Sequence, residues 1–247
     1  MNKKIAIVTG ASQGLGKAVA IDLAKQGYLV VLVARNKSKL ESVCEVIKAT
    51  GGDSLFYSLD VSEAKQVEQC VEEIVSKYGR IDLLFNNAGV LQHGTTTLSS
   101  EEIDKIIQIN LNGAIHMASV VAKQMKQQKQ GYIMNVSSLG GKVAASFAGV
   151  YAASKFGLSG FSEALSKEMS LYGVKVSNLC PGMMATEMTA GRLFKAEDMI
   201  EIDDICQTVR YLLSLSRKAI PLEIVLHCLP FVEKTTRATH EAYGLNE

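Results

Sequence analysis

The sequence has 247 residues, 47% of them hydrophobic and 21% charged, the balance of an ordinary globular protein long enough to bury a sizeable core. A formal net charge of +1 gives no electrostatic case for nucleic acid or an anionic membrane, and no apolar run reaches the roughly 18 residues a membrane span needs. Five scattered cysteines without a Cys-x-x-Cys pair argue against a zinc site or disulfide framework and fit a reducing cytoplasm.

The chain opens on MNKKIAIVTGAS, which runs straight into a strand and lacks the apolar region and cleavage site of a signal peptide. KIAIVT (4–9) reads as the first strand, followed by an amphipathic helix over 14–26. YLVVLVA (28–34), SLFYSL (54–59) and IDLLFNN (81–87) are further strands, with helices over 37–49 and 63–78 between them. A long helix over 101–128 precedes the strand GYIMNVS (131–137), and another over 152–172 precedes VKVSNLC (174–180). A helix over 203–215 and a last strand LEIVLHC (222–228) complete the order. Glycines at 27, 51, 79, 131 and 173 follow helical stretches, where a left-handed cap is needed.

Several strands are apolar almost throughout, as parallel strands covered on both faces must be. The alternation of strand and helix predicts an α/β fold: one doubly wound parallel sheet of about seven strands with helices on both faces. No linker or repeat divides the chain, so residues 1–247 read as a single domain. Residues 183–201 fit neither period and read as a lid; residues 229–247 read as a polar tail.

Gly10, Gly14 and Gly16, in VTGASQGLG (8–16), follow the first strand and open the first helix. Glycine permits positive φ and close backbone approach to a pyrophosphate, and the helix start offers unpaired N–H groups to phosphates. A plain strand–helix turn is the competing reading. At the end of the second strand, LVARNKSK (32–39) puts Arg35 and Asn36 where an NAD-preferring protein carries an acid for the ribose 2′-hydroxyl. A guanidinium binds a 2′-phosphate through paired hydrogen bonds, so NADP(H) is expected rather than NAD(H); a solvated strand-end arginine is the alternative. Asp60-Val61 follows the third strand, where the carboxylate accepts from an adenine amino group or caps the next helix; the two are compatible.

Tyr151 and Lys155, in GVYAASKFG (149–157), stand one helical turn apart. The pair is either an ordinary surface contact or a phenol whose proton affinity a nearby ammonium tunes. His93 reads as an exposed loop residue before a substrate contact. Met183, Met184 and Met188 either line an apolar pocket or fill core gaps. Lys142 and Arg192 either draw an anionic substrate or face water.

Taken together, TGxxxGxG at 9–16, NNAG at 86–89, Asn110, the serine pair 137–138, YAASK at 151–155 and PGMMAT at 181–186 resemble the short-chain dehydrogenases/reductases. The match spans nearly the whole chain, in the family's order and spacing, and looks closest to the 3-oxoacyl-carrier-protein reductase branch. The resemblance implies a Rossmann fold and a catalytic set of Asn110, Ser138, Tyr151 and Lys155. Tyr151 would be the general acid, Lys155 its tuner and the holder of the nicotinamide ribose, and Ser138 the group polarising the carbonyl. Ser137 is the rival serine and Asn112 the rival amide; Ser138 is preferred for lying 13 positions before Tyr151, a common family spacing. Asn110 would shape its helix and anchor a water linking Lys155 to solvent.

The implied cofactor contacts are Gly10, Ser12, Gln13, Gly14, Leu15, Gly16, Arg35, Asn36, Asp60, Val61, Asn87, Ala88, Gly89, Tyr151, Lys155, Pro181, Gly182, Met184 and Thr186, with no metal. The expected activity is NADPH-dependent reduction of a small carbonyl compound to a secondary alcohol, by a cytoplasmic homodimer or homotetramer. The alternatives are 3-oxoacyl-carrier-protein reduction specifically, and a non-catalytic NADP-binding regulator. Two departures stand out. Gln13 replaces the basic residue many NADPH-preferring members carry, and SRKAIPLEIVLHCLP (216–230) lacks the branch's Thr-Gly and Asp-Gly-Gly around the last strand.

Overall fold

Strands that are apolar on both sides need two layers of cover, and the chain supplies a helix after each. The computed structural model describes residues 3–187 and 195–245. β1 (Ile5–Thr9) leads into α1 (Gly14–Lys25), β2 (Leu29–Ala34) into α2 (Lys37–Ala49) and β3 (Asp53–Ser58) into α3 (Ala64–Tyr78). β4 (Leu83–Asn86) is followed by α4 (Ser100–Ile107), a π-helical turn (Gln108–Gly113) and α5 (Ala114–Gln128). β5 (Gly131–Val136) leads to α6 (Gly149–Ser170), β6 (Val174–Pro181) to α7 (Ile202–Ser214), and β7 (Glu223–Leu226) to α8 (Leu229–Ala242).

Among the described residues the strands form a seven-stranded sheet in the order β3-β2-β1-β4-β5-β6-β7, every pairing parallel. Successive strand residues point to opposite faces. Ala6, Val8, Leu32, Phe85 and Leu179 pack with Leu15, Val19 and Leu23 of α1, Leu40 and Ile47 of α2, and Val209 and Leu212 of α7. Ile5, Ile7, Val33, Leu84 and Val176 pack with Val67 and Ile74 of α3, Met117 and Val121 of α5, and Leu165 and Met169 of α6. This is the doubly wound Rossmann architecture. Its strand order reverses between β1 and β4, so a ligand crevice opens at their carboxyl ends.

Three expectations change. The helix expected over 101–128 is interrupted by the π-helical turn, in which Asn110 is fully buried and bonds away from its own helix. The left-handed residue ending α5 is Lys129 (φ 52), while Gly131 (φ 156) opens β5; glycines 27, 51, 79 and 173 do adopt positive φ after helices. The stretch read as a polar tail is helical over Leu229–Ala242, with a proline in its first positions and no buried residue. It escaped the sequence reading because it presents no apolar stripe to a core. No helix among the described residues is long and apolar enough to cross a membrane.

Candidate active site

At the β1–β4 crevice the backbone leaves no room for side chains. Gly10 (φ +67) and Gly14 (φ +52) adopt conformations that L side chains rarely take. A Cβ on Gly16 would lie 2.3 Å from Gly10 O, and one on Gly10 2.8 Å from Asn87 Nδ2. Thr9, fully buried, ties the two loops together: its Oγ1 accepts from Asn87 N at 2.8 Å and Ala88 N at 2.9 Å, and Asn87 Nδ2 donates to Thr9 O at 3.1 Å. Sequence reasoning quoted Thr9 within its motif but gave it no role. Gln13, the N-cap of α1, makes no side-chain cap, and no acid stands in the first turn. The turn fits a nucleotide pyrophosphate: it is narrow, glycine-lined and ends on uncapped N–H donors.

At the rim of the crevice, Arg35 Nη1 lies 3.6 Å from Asp60 Oδ2. Asp60 also accepts from Ser62 N at 3.0 Å and Ser62 Oγ at 2.7 Å, so it fixes the turn before α3 and does not cap the helix itself. Burial raises its pKa, but the Ser62 hydrogen bonds and the Arg35 charge outweigh that and hold it below the usual carboxylate value. The Asn36 carbonyl caps α2, accepting from Lys39 N at 3.0 Å. Lys39 Nζ in turn donates to Gln13 Oε1 at 2.5 Å. Lys39 is thus a second cation beside the glycine turn, unassigned from sequence although its i+3 spacing from Asn36 is that of a capped first turn. Ser12 is half-buried in the same turn. The Leu15 and Val61 side chains belong to the two core faces, so only their backbone can meet a ligand.

The candidate catalytic residues meet where β5 ends against α6. Ser137 is buried; its Oγ donates to Lys155 O at 2.9 Å and lies 3.0 Å from Ser159 Oγ, so it locks β5 to α6. Ser138 is half-buried, and its Oγ accepts from Gly140 N at 3.0 Å. A Cβ on Gly140 would touch both Tyr151 Cε1 (3.2 Å) and Ser138 Oγ (3.5 Å), so these two side chains converge on one small space. Lys155, 4% exposed, donates from Nζ to Val136 O at 2.9 Å and stands 5.8 Å from the centre of the Tyr151 ring. Burial pulls its pKa down to about 8, with Cys180 opposing.

Asn110 faces the same space. Its Oδ1 accepts from Val90 N at 2.7 Å; its Nδ2 donates to Val90 O at 2.9 Å and to Ser154 Oγ at 3.2 Å. A Cβ on Gly89 would lie 3.3 Å from Asn110 Oδ1 and 3.6 Å from Lys155 Nζ, so glycine is what lets these groups approach. Asn112 instead donates to Gln108 Oε1 at 2.9 Å within its own helix.

The far wall is less closely built. Pro181 ends β6, and Gly182 N donates to Leu226 O at 2.8 Å. A Cβ on Gly182 would meet Leu226 O at 3.2 Å, so β7 by itself already favours glycine there. Thr186 stands over the glycine turn, its Cβ 3.9 Å from where a Gly14 Cβ would be. Met183 and Met184 pack against the core, and Met184 forms a parallel bridge with Ile200. Met188, Arg192 and the rest of 188–194 lie outside the described residues. Lys142 is exposed, and its Nζ pairs with Glu223 Oε2 at 2.6 Å. His93 is exposed and sets its ring edge against Phe147 at 5.1 Å. No cluster of three metal-ligating side chains occurs among the described residues.

The sequence model of the family described as short chain dehydrogenase matches residues 4–196. A 3-oxoacyl-[acyl-carrier-protein] reductase (FabG) of Staphylococcus epidermidis is 33% identical over 232 residues, covering 89% of this chain and 95% of its own. The crystal structure of a betaketoacyl-[ACP] reductase (FabG) from Bacteroides thetaiotaomicron superposes with a TM-score of 0.84 at 36% identity, covering 94% of this chain and all of the other. A metagenomic short-chain oxidoreductase crystallised with NADP gives a TM-score of 0.80 at 32% identity, covering 90% and 96%.

Proposed function

The chain belongs to the short-chain dehydrogenase family, and on that premise we propose that it is an NADPH-dependent reductase converting a small carbonyl compound, reversibly, to a secondary alcohol. One observation carries the reading: Ser138 Oγ and the Tyr151 ring converge on Gly140, with the Lys155 ammonium buried beside that ring. A nicotinamide nucleotide supplies the hydride when bound; the glycine turn and the uncapped start of α1 would hold its phosphates.

Ser138 Oγ donates a hydrogen bond to the substrate carbonyl oxygen and polarises it. Tyr151 gives its phenolic proton to that oxygen as negative charge develops there. A free phenol has a pKa of about 10, and the neighbouring Lys155 cation stabilises the phenolate left behind. Asn110 holds the Val90 backbone and a water that links Lys155 to solvent. Arg35, with Lys39 beside Gln13, supports a 2′-phosphate and hence NADP(H) over NAD(H); the NADP in the metagenomic relative points the same way. The FabG relatives favour a second reading, reduction of 3-oxoacyl groups on a carrier protein. The free, mostly buried cysteines support a reducing, cytoplasmic setting, and exposed Phe156 on α6 supports a homodimer or homotetramer; a monomer by light scattering would remove the assembly from the account.

The deciding assay is NADPH oxidation against acetoacetyl thioesters (free and on carrier protein), α-diketones, β-keto esters, sugars and steroids. Turnover is expected with at least one class. It should fall about 10²–10⁴-fold in Tyr151→Phe, the usual contribution of a general acid, while NADPH still binds. Equal turnover in that variant would leave a nucleotide-binding protein without this chemistry.

A further inference from the structure

Between β6, β7 and α6 lies a polar cluster that the reductase reading leaves unused. Asn178, 3% exposed, pairs in register with Glu223 on the edge strand. Its Nδ2 donates to Glu223 Oε2 at 3.0 Å and lies within reach of Ser159 Oγ at 3.1 Å and Cys180 Sγ at 3.2 Å. Lys142 Nζ meets the same carboxylate oxygen at 2.6 Å, and the Cys180 thiol donates to it at 3.7 Å. Asn178 Oδ1 is buried without a partner. Flipping the amide would set its oxygen against the carboxylate, so Glu223 fixes its orientation. A half-exposed ion pair on flexible side chains is worth little; this carboxylate is different because β6 holds it from below.

The other end of the pair follows the turn that carries Ser138. Lys142 ends a tight turn in which Gly141 N donates to Ser138 O at 2.9 Å, Lys142 N to Leu139 O at 2.9 Å and Gly140 N to Ser138 Oγ at 3.0 Å. The turn is pressed onto α6: a Cβ on Gly141 would lie 2.5 Å from Ser137 Oγ and 2.7 Å from Lys155 O. Building on the reductase reading, we propose that Glu223 is a positioning residue, which through Lys142 fixes the 139–142 turn and so the aim of Ser138 Oγ beside Tyr151. The last strand, where the chain departs most from its family's pattern, thereby contributes to catalysis without touching substrate.

The test pairs an activity readout with one that needs no substrate. In Glu223→Gln, amide hydrogen exchange at 139–142 should speed up severalfold, and kcat on the best carbonyl substrate should fall about tenfold, less than the roughly 100-fold that a misplacement of about 1 Å can cost. NADPH affinity and the melting temperature should hold. Lys142→Ala should match it, and the double variant Glu223→Gln/Lys142→Ala should lose no more than either alone. Unchanged exchange in Glu223→Gln overturns the proposal even if no carbonyl proves to be a substrate. So does a fall in kcat that comes only with lower melting temperature and weaker NADPH binding, or a double variant that loses markedly more than either single one. Absence of turnover in the wild type, with exchange altered as expected, instead sinks the reductase reading and leaves the turn contact standing.

Discussion

At the β1–β4 crevice a Cβ on Gly16 would press on Gly10 O at 2.3 Å, whereas at the other end of the sheet Val225 of β7 is 46% exposed and α8 buries no residue. The crevice is defined by backbone against backbone, with Thr9 stitching one loop to the next. The edge is defined by side chains reaching from one element to another, such as Lys142 to Glu223 and Lys234 to Asp198. Backbone sterics admit one residue type, so such a site tolerates little change. Side-chain pairs admit many solutions, which is where one family member can differ from another.

The comparison breaks first at Gly16. An alanine there must displace the Gly10 carbonyl, an overpacking that costs up to about 3 kcal/mol. The expected result is a lower melting temperature with NADPH binding weakened about 100-fold or more, equivalent to about 2.7 kcal/mol; near-wild-type binding by fluorescence titration would show the crevice to be pliant. Lys155 tests the same region through charge. Its folded pKa of about 8 lies below the unfolded value of about 10.4, so the folded chain holds fewer protons than the unfolded chain between those pH values. Stability therefore rises with pH across that window, as a penalty of roughly 3 kcal/mol for burying the ammonium is relieved. Lys155→Met should be the more stable protein at pH 7, with an advantage that shrinks towards pH 10.5 in urea titrations. A wild-type curve flat from pH 8 to 10.5 would mean that the ammonium is better solvated than its burial implies.

The same contrast decides what could be read from the sequence. The glycine turn was legible because a fixed residue type at a fixed offset is itself the physical requirement, whereas NNAG and a role for the Tyr151–Lys155 spacing could be read only through the family resemblance. The core was legible as well, since strands buried on both faces are apolar at consecutive positions. The π-helical turn was not: it depends on Asn110 finding the Val90 backbone 20 residues away, which helical periodicity cannot show. Lys142 stayed open between an anionic substrate and water because its partner lies in the last strand, and Lys39 had no reading because only the fold brings Gln13 to it. α8 was missed because it packs on no core.

Smaller effects sharpen the comparison at the rim. Arg35→Ala should weaken NADPH binding about 30-fold, a change of about 2 kcal/mol within the 1.5–3 kcal/mol typical of charge-assisted hydrogen bonds, and leave NADH binding nearly unchanged. Lys39→Ala should shift it in the same direction by less. Equal losses for both cofactors would remove 2′-phosphate recognition from this corner.

The smallest effect is expected at the far edge, at Lys234. Its ion pair with Asp198 spans 3.0 Å and joins α8 to the short helical turn at Ala196–Asp198, but the lysine side chain is largely exposed. Exposed pairs contribute about 0.2–1 kcal/mol, and salt screens them. Lys234→Ala should therefore move the urea midpoint little, less still at high salt, with NADPH binding intact. Glu223 shares that edge yet is held by β6, so the two substitutions separate tethered charge from free charge on one surface. If Lys234→Ala destabilised the protein by more than about 2 kcal/mol, beyond what exposed pairs supply, α8 would be carrying load through contacts other than this pair. The far edge would then be as constrained as the crevice.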